Sequence, residues 1–479
     1  SDDAKALDEV VVIGYGTAKR KDITGSVASV NSETLAAIPV ASATEALQGK
    51  MAGVQITTTE GSPDAQMSIR VRGGGSITQS NEPLFIVDGF PVESISDIPP
   101  TDIESIDVLK DASSTAIYGA RGANGVIIVT TKSGKEGKVS VSYNAYYAWK
   151  KVAKTLDVLS ASDYTKWQYE LAQLTNKNDD YIKYFGNYQD LDMYDNVATN
   201  DWQDLTFGRT GHSFNHNLSI NGGSDKFKYS FSYSHIDDKA IMQMSDYARD
   251  NLNLKLNHKP LKNVSLDFSA RFSKTKINGG GSNDANSSLN TDKRLKYSLL
   301  YTPYPVPGIS DALNADEEDA NSLLINPLIS LRDNDTRKER INYNLAGSIT
   351  WEIIKDLKLK AEVGYDDYRN NADRYYGVTT YYVRNNVDDE DKSKPAISFT
   401  RGTRTAFRST NTLSYDFKKF FKNNKNHLNL LAGQEYIVTR ERELRNVVHG
   451  FPTEYTADDC INYSTKGNPY EVTNYGYPD

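Results

Sequence analysis

The sequence is poor in features that mark several common protein classes. It has one cysteine, Cys460, in 479 residues, which excludes an internal disulfide framework and any CxxC metal or redox motif. No run approaches the roughly 18 consecutive apolar residues of a membrane-spanning helix, and the longest, at 10–13 and 126–129, have the length of a strand. A helical membrane protein is therefore excluded, whereas a membrane β-barrel, whose strands alternate, is not.

The chain also lacks a positive charge balance. It carries 55 Lys and Arg against 63 Asp and Glu, a formal net charge of −8, so we expect no nucleic-acid partner. Aromatic residues are plentiful, with 31 Tyr and 15 Phe, and they supply the apolar surface that a disordered chain would lack.

Catalytic and cofactor motifs are missing as well. GxSxG and HExxH do not occur, and the glycine-rich segments at 14–16 and 73–75 do not extend to a phosphate-binding loop. His212 and His216 share a strand face, but lie about 13 Å apart at strand spacing, too far for one metal ion. We predict no enzyme activity, no cofactor and no metal site.

The first 134 residues alternate between strand-like and helix-like pieces. Ser42 and Thr101 each begin a capping-box pattern that predicts a helix start, and Asp111 predicts the cap of a helix over 112–118. Strands are predicted near 25–30, 66–71, 84–87 and 125–131. This pattern is typical of a small α/β domain.

After residue 137, apolar and polar residues alternate with period two. Phe231 and Tyr233 share one strand face, with Ser230 and Ser232 on the other. We predict nine strands, many longer than the roughly 5–6 residues usual in soluble proteins, near 138–149, 212–221, 226–236, 248–258, 264–276, 340–353, 357–369, 403–417 and 427–441.

The connections between these strands favour a barrel over a sandwich. Those after the even-numbered strands are short, and those after the odd-numbered strands are mostly long, as at 150–211, 277–339 and 370–402. Membrane barrels have short turns at one end and long loops at the other. Because single-chain bacterial barrels normally have an even number of strands, nine strands are expected to be the front part of a larger barrel.

Several motifs resemble the SusC/RagA-like TonB-dependent transporters of the outer membrane of Bacteroidota. They occur in the family's order through residues 7–134: LDEVVVIGYG at 7–16, LQGK at 47–50, IRVRG at 69–73, PLFIVDG at 83–89, DIESIDVLKDA at 102–112 and AIYGARGANG at 116–125. The resemblance implies an α/β plug domain followed by a transmembrane antiparallel β-barrel of the 22-stranded class. It divides the chain into a lead with the TonB-contact segment at 1–16, the plug at 17–134 and part of the barrel at 138–479.

The same resemblance implies a function and partners. The protein would import oligosaccharides or oligopeptides across the Gram-negative outer membrane, with a SusD-like surface lipoprotein as lid and TonB as the link to an inner-membrane, proton-driven motor. Two alternatives stay open. One is a lid-free TonB-dependent receptor for a siderophore or cobalamin, and the other is a non-transporting adhesin or soluble glycan-binding β protein.

Four groups of residues are candidates for function. A TonB-contact strand could add to another protein's sheet edge through its main chain. Three arginines could latch the plug to acidic groups of the barrel, a turn is set by backbone geometry, and four loop tyrosines could stack on sugar rings. The TonB-contact strand comprises Asp8, Glu9, Val10, Val11, Val12 and Ile13, and the latch comprises Arg70, Arg72 and Arg121. The turn residues are Gly73, Asp88 and Gly89, and the loop tyrosines are Tyr181, Tyr301, Tyr375 and Tyr381.

Overall fold

The fold consists of a small α/β domain followed by one long antiparallel sheet. A computed structural model describes residues 10–13, 16–19, 27–36, 40, 42–58, 67–71, 73, 81–111, 115–279, 294–307, 325–380, 382–383, 390–417 and 428–469. Residues 132–136 separate the last strand of the first domain from the first strand of the long sheet.

The N-terminal domain is built on a five-stranded mixed sheet flanked by short helices at Ser32–Ala36 and Ala43–Leu47. The strand order is β3-β8-β9-β6-β7, and β6 and β9 form its one parallel pair in the described residues. Two hairpins, β1-β2 and β4-β5, complete the domain. The strands are β1 Val10–Ile13, β2 Gly16–Lys19, β3 Val27–Asn31, β4 Val54–Thr58, β5 Met67–Val71, β6 Leu84–Val87, β7 Phe90–Val92, β8 Ile103–Leu109 and β9 Val126–Thr131.

The helix start predicted at Ser42 is confirmed, and the one predicted at Thr101 is wrong. The Ser42 hydroxyl accepts a hydrogen bond from the Glu45 backbone N–H and begins a helix. Thr101 instead lies in the 3-10 turn Pro100–Asp102, and β8 follows it directly. Ile103 and Ile106 are fully buried on β8, between β3 and β9, so burial of β-branched residues in the sheet overrides the local capping signal.

The long sheet contains the nine predicted strands in sequence order, each antiparallel to the next. Most are longer than predicted, by up to eight residues at one end. A two-residue strand, β19 (Asn468–Pro469), pairs with the last of them. The nine strands are β10 Gly137–Lys150, β11 Gly211–Gly223, β12 Phe227–Lys239, β13 Asp246–Leu261, β14 Val264–Asn278, β15 Thr336–Ile354, β16 Leu357–Tyr376, β17 Ala396–Asp416 and β18 Asn429–His449.

The two ends of this sheet differ in the length of the connections between strands. At one end, the short-turn end, β11-β12, β13-β14 and β15-β16 are joined by two or three residues. At the other, the long-loop end, most connections are long and carry helices, although β12 and β13 are joined by only 240–245. These helices are Ala161–Thr175, Asn178–Phe185, Trp202–Phe207, Arg294–Leu300, Pro327–Asp333 and Ala457–Asn462. Among the residues described, no helix combines the length and the hydropathy needed to cross a membrane.

The two faces of the long sheet have the opposite polarity to those of a soluble sheet. The inner face contacts the N-terminal domain and buries polar side chains such as Ser232, Asn344 and Arg408. The outer face exposes large apolar side chains, and the register places Leu345, Tyr365 and Phe407 side by side on it. A polar inner face and an apolar outer face are what a barrel wall in lipid requires.

This polarity predicts the effect of a charge on the outer face. Leu345 lies in the middle of β15, with about 45% of its side chain exposed. In the complete protein in lipid vesicles, Leu345→Arg should lower the free energy of unfolding by about 2–4 kcal/mol, the cost of a cation near the bilayer midplane. Ser142→Arg, on the inner face of β10, is the control and should change it by less than about 1 kcal/mol. Equal losses in urea titrations of the two variants would contradict the assignment of the faces.

Candidate functional site: the contact between the N-terminal domain and the inner sheet face

The β6-β7 turn of the N-terminal domain is anchored on the inner face of the long sheet. Asp88 and Gly89 form this turn with φ angles of 51° and 85°, a left-handed geometry that glycine adopts without strain. The Asp88 carboxylate accepts hydrogen bonds from the Thr131 backbone N–H at 2.9 Å and hydroxyl at 2.7 Å. It also accepts one from Lys255 Nζ of β13 at 2.8 Å, so one side chain joins the turn, β9 and the sheet.

The charge of Asp88 is stabilised where it sits. Burial alone would raise the pKa of the Asp88 carboxyl, but the positive charges of Lys255 and Arg271 and the hydrogen bonds from Lys255 and Thr131 together hold that pKa below its ordinary value. The carboxylate therefore remains ionised at neutral pH, as the contact with Lys255 requires. The Lys255 ammonium also donates to the Thr131 carbonyl at 2.8 Å.

Arg408 of β17 is the centre of the second half of this contact. Its guanidinium donates to the Gly89 carbonyl, to Glu362 at 3.1 Å and to Glu435 at 2.9 Å. The Arg408 side chain is only 7% exposed, so this charge depends on those partners. We call Lys255, Glu362, Arg408 and Glu435 the turn clamp.

A ring of the N-terminal domain rests on a glycine of the sheet beside the turn clamp. Phe90, 4% exposed, follows the turn, and its ring lies over Gly364 of β16. A Cβ at position 364 would lie 2.5 Å from Phe90 Cε2, closer than real Cβ contacts. Only glycine lets the ring approach the sheet this closely.

Gly364→Ala should therefore displace the N-terminal domain without damaging the sheet. We expect overpacking to cost about 1–3 kcal/mol, seen as faster proteolysis of the N-terminal domain in the complete protein. Gly347→Ala is the matched control on the adjacent strand, because its Cβ would meet only the Asp267 carbonyl, at 3.8 Å. Equal proteolysis rates for both variants would show that the contact between Phe90 and Gly364 does not hold the domain.

A second contact involves the loop after β7. Arg249 of β13 donates to the Ser96 carbonyl at 2.8 Å, and Arg340 of β15 lies 3.4 Å from the Asp97 carboxylate. At the β6-β7 turn and at this loop, the N-terminal domain supplies the carboxylates of Asp88 and Asp97 and backbone carbonyls, and the sheet supplies the cations that bind them.

A third, weaker contact lies near β11. Asn217 Nδ2 donates to the Asp102 carboxylate at 3.5 Å, and Asp102 is 5% exposed. Burial raises the pKa of the Asp102 carboxyl, although the hydrogen bond from Asn217 opposes that rise.

The residues of the predicted latch are placed differently from one another. Arg121 donates to Glu435 of the turn clamp at 2.9 Å, so it contacts an acidic group of the sheet. Arg70 is exposed on β5, and Arg72 lies outside the described residues. Gly73 has a φ of 95°. The cations Lys255, Arg249 and Arg408 of the long sheet, which we also call the wall, were not predicted. Only the strand register, which places them on the inner face, could have indicated them.

The predicted TonB-contact strand is part of a hairpin. Val10 pairs with Lys19 and Ile13 with Gly16, so one edge of β1 is used by β2. In the described residues the hairpin forms a two-stranded sheet of its own, which leaves the second edge of β1 without a strand partner there. Asp8 and Glu9 lie outside the described residues.

The predicted substrate tyrosines that the structure describes are buried at the long-loop end, with Tyr181 and Tyr301 in the loops and Tyr375 at the end of β16. Tyr181 packs against Phe185, with ring centroids 5.4 Å apart, and Tyr301 meets Trp202 edge to face at 5.3 Å. Tyr375 is buried in a cluster with Phe451 and donates to the Tyr455 carbonyl at 3.0 Å. Because protein atoms cover these rings, we assign them to loop packing rather than to sugar stacking. Tyr381 lies outside the described residues.

Polar contacts hold the N-terminal domain on the polar inner face of a long sheet whose outer face is apolar. This arrangement defines the class of plugged β-barrels. Residues 19–126 match the TonB-dependent Receptor Plug Domain. At 13% identity, the ferric citrate transporter FecA in its unliganded form shares the fold alone, with a TM-score of 0.55 over 95% of this chain and 51% of that chain.

Three relatives with higher sequence identity to this chain indicate which kind of plugged β-barrel it resembles. The chain is 41% identical over 258 residues to the TonB-dependent receptor SusC of Bacteroides thetaiotaomicron, covering 52% of this chain and 24% of SusC. It is 33% identical to the TonB-dependent receptor P3 of Formosa agariphila, covering 99% of this chain and 46% of P3. The RagAB peptide importer in the open-open state has a TM-score of 0.71 at 27% identity, over 92% of this chain and 50% of that chain.

The resemblance seen in the motifs is thereby confirmed. The chain belongs to the family of SusC-like TonB-dependent transporters and contains a plug domain and nine long strands of an antiparallel sheet. It spans no more than about half the length of the relatives described above.

Proposed function

We propose that the complete protein imports oligosaccharides or oligopeptides across the outer membrane, driven through TonB, as the barrel of a SusCD-like complex. The observation that carries this proposal is the kind of contact that holds the plug on the inner face of the long sheet. Its described contacts with the wall are mainly charged and hydrogen-bonded, at the turn clamp and at Ser96–Asp97. Such contacts hold a domain in one position yet can be exchanged for water when the domain moves.

The β1-β2 hairpin is the proposed site at which TonB pulls on the plug. A strand with an unused edge can accept a strand of another protein through main-chain hydrogen bonds, and β1 has such an edge among the described residues. We propose that TonB pairs with residues 8–13 at the short-turn end, which is periplasmic in this class of barrel. Pulling there would withdraw part of the plug from the wall.

The long-loop end is the proposed docking side of a SusD-like lipoprotein. The loops there have cores of their own, such as the cluster of Tyr164, Tyr181, Phe185 and Tyr304. Packed loops form a stable platform, as a lid that opens and closes over a substrate needs.

The experiment compares uptake in cells that have or lack this protein, and in cells that have or lack TonB. The labelled probes are neutral oligosaccharides, oligopeptides, a ferric siderophore and cobalamin. We expect loss of oligosaccharide or oligopeptide uptake in both deletions, with siderophore and cobalamin uptake changed only by loss of TonB. Loss of siderophore or cobalamin uptake on deleting this protein would favour a lid-free receptor. Unchanged uptake of every probe would contradict a role in import.

A further inference from the structure

The outer face of the long sheet changes from apolar to charged part-way along β16, β17 and β18. The strand register aligns the outer-face residues of these three strands in rows. Towards the long-loop end, three successive rows are Tyr365, Phe407 and Val438; Asp367, Thr405 and Arg440; and Arg369, Thr403 and Arg442. The apolar surface therefore ends within one or two rows.

These three strands are longer than a bilayer requires. They have 20 or 21 residues each, whereas a tilted strand crosses the hydrocarbon core in about 9–11 residues. On β18 the outer-face residues from Leu430 to Val438 are apolar except for Gln434, and that span matches the length needed. The first charged row, which contains Arg440, therefore marks the edge of the hydrocarbon core at the long-loop end. The rows beyond it face the lipid headgroups, on the side that is extracellular in this class of barrel.

Four arginines surround Thr403 just beyond this edge. Thr403 lies directly opposite Arg369 on one side and Arg442 on the other. Arg401 is two residues further along the same strand, at about 6.6 Å, and Arg440 is the diagonal neighbour, at about 7–8 Å. All five residues are exposed. We call the four arginines the arginine patch.

The arginine patch has more cations than carboxylates. Arg369 pairs with Asp367 at 2.9 Å, and Arg401 pairs with Asp373 at 2.6 Å. On the outer face of the three strands, all of which the structure describes, there is no other carboxylate. The other two arginines of the patch have no ion pair among the described residues. An excess of two positive charges therefore faces the surroundings.

The carboxylates of β18 do not neutralise the patch, because they lie on the opposite face. Glu441 and Glu443 alternate with Arg440 and Arg442 along the strand. Glu441 is opposite Arg404, which lines the space next to the plug, and pairs with it at 3.1 Å. The charges cancel along the sequence, but the fold turns the cations outward and the anions inward.

A ligand that uses the whole of this surface has an anionic head and apolar chains. Guanidinium groups bind phosphate oxygens through two parallel hydrogen bonds, and the Thr403 hydroxyl can donate a further one. Directly beneath, the Tyr365 and Phe407 side chains are about 40% exposed. A soluble anion would leave these apolar side chains unused. A second copy of the chain, related by a two-fold axis, would bring the same positive charge against the patch.

We propose that the arginine patch binds a phosphorylated lipid of the outer leaflet. Its phosphate lies over Thr403 and its acyl chains follow the row of Tyr365, Phe407 and Val438. The bound lipid fixes the height of β16–β18 in the membrane. This inference rests on the location in the outer membrane and is independent of the transported substrate.

The test measures lipid binding to the complete protein. The purified transporter in detergent is titrated with monophosphorylated lipid A, and native mass spectrometry gives the dissociation constant of the first bound lipid. We expect about thirtyfold weaker binding to the variant that combines Arg440→Gln with Arg442→Gln. This change is equivalent to about 2 kcal/mol, or about 1 kcal/mol for each cation near the membrane surface. Dephosphorylated lipid A should bind the parent protein as weakly as lipid A binds this variant.

Two further variants control for charge and for folding. Lys274→Gln with Lys276→Gln removes two cations from the outer face of β14, outside the patch, and should leave the dissociation constant within about twofold of the parent value. Arg440→Lys with Arg442→Lys keeps the charge of the patch and should recover most of the affinity. This recovery separates loss of the lipid site from loss of the fold.

Three results would overturn the proposal. Equal weakening by the β14 variant would indicate general attraction to a charged surface rather than a site. Displacement of the lipid by millimolar inorganic phosphate would show that free phosphate alone is the ligand. A dimer of the transporter that forms without lipid and is lost in the glutamine variant of the patch would assign this surface to contact between two copies.

Discussion

Arg408→Met is expected to loosen the plug from the wall. Arg408 is buried and bridges the Gly89 carbonyl of the plug to Glu362 and Glu435 of the wall. Its loss removes the hydrogen bond from the charged guanidinium to the Gly89 carbonyl, which is the contact of Arg408 that joins the sheet to the plug, and a hydrogen bond to a charged group contributes about 1.5–3 kcal/mol. The measurement is hydrogen exchange of the β6-β7 amides in the complete protein in nanodiscs, where the free energy of local opening should fall by about that amount.

Arg440→Met is the control for this prediction. Arg440 is exposed on β18, paired in register with Thr405, and Arg440→Met removes the same charge without touching the plug. Exchange at β6 and β7 should then match that of the parent. If Arg408→Met leaves exchange in β6-β7 unchanged, the clamp does not hold the plug, and the seat must depend on apolar contacts such as that of Phe90.

Proline in β1 is expected to abolish energised uptake. Strand addition uses main-chain N–H groups, and proline has none and fixes φ near −65°. Because successive N–H groups of a strand point to opposite edges, proline at Val11 and at Val12, tested separately, removes a donor from each edge of β1. We expect substrate to be captured at the surface by both variants, and uptake of each to fall by tenfold or more, about 1.4 kcal/mol or above in TonB binding.

Val11→Thr and Val12→Thr serve as controls for the proline variants. Threonine is β-branched and keeps the backbone N–H, so uptake should stay close to that of the parent protein. Should the proline variants transport normally, β1 would be only a plug strand. An equal loss in the threonine and proline variants would instead indicate recognition through side chains, which strand addition does not require.

The long sheet could be predicted from the sequence because its signal is local and repeated. On β12, Phe231 and Tyr233 alternate with Ser230 and Ser232, and the register confirms that the two sets lie on opposite faces. The capping pattern at Thr101 misled because it is also local, whereas β8 is fixed by its neighbours β3 and β9. Local sequence patterns therefore predict the repeated strands of the long sheet better than the strands of a small mixed sheet.

The candidate site was harder to predict, because its parts are distant in the chain. Asp88 and Lys255 are 167 residues apart, and Gly89 and Arg408 are 319 apart. A motif marks the turn at Asp88 and Gly89, but nothing near Lys255 or Arg408 in the sequence marks them as its partners. The predicted substrate tyrosines show the converse case. Their frequency suggested binding surfaces, whereas packing at the long-loop end buries Tyr181, Tyr301 and Tyr375.

Native mass spectrometry of the protein extracted from outer membranes in detergent tests most directly whether this chain is the barrel of a two-component importer. We expect a chain of about twice 53.4 kDa, as the half-length coverage of the relatives implies, bound to a lipidated second subunit. A lone large chain would point to a receptor without a lid. A species of 53.4 kDa that stays in solution without detergent would contradict the membrane barrel itself.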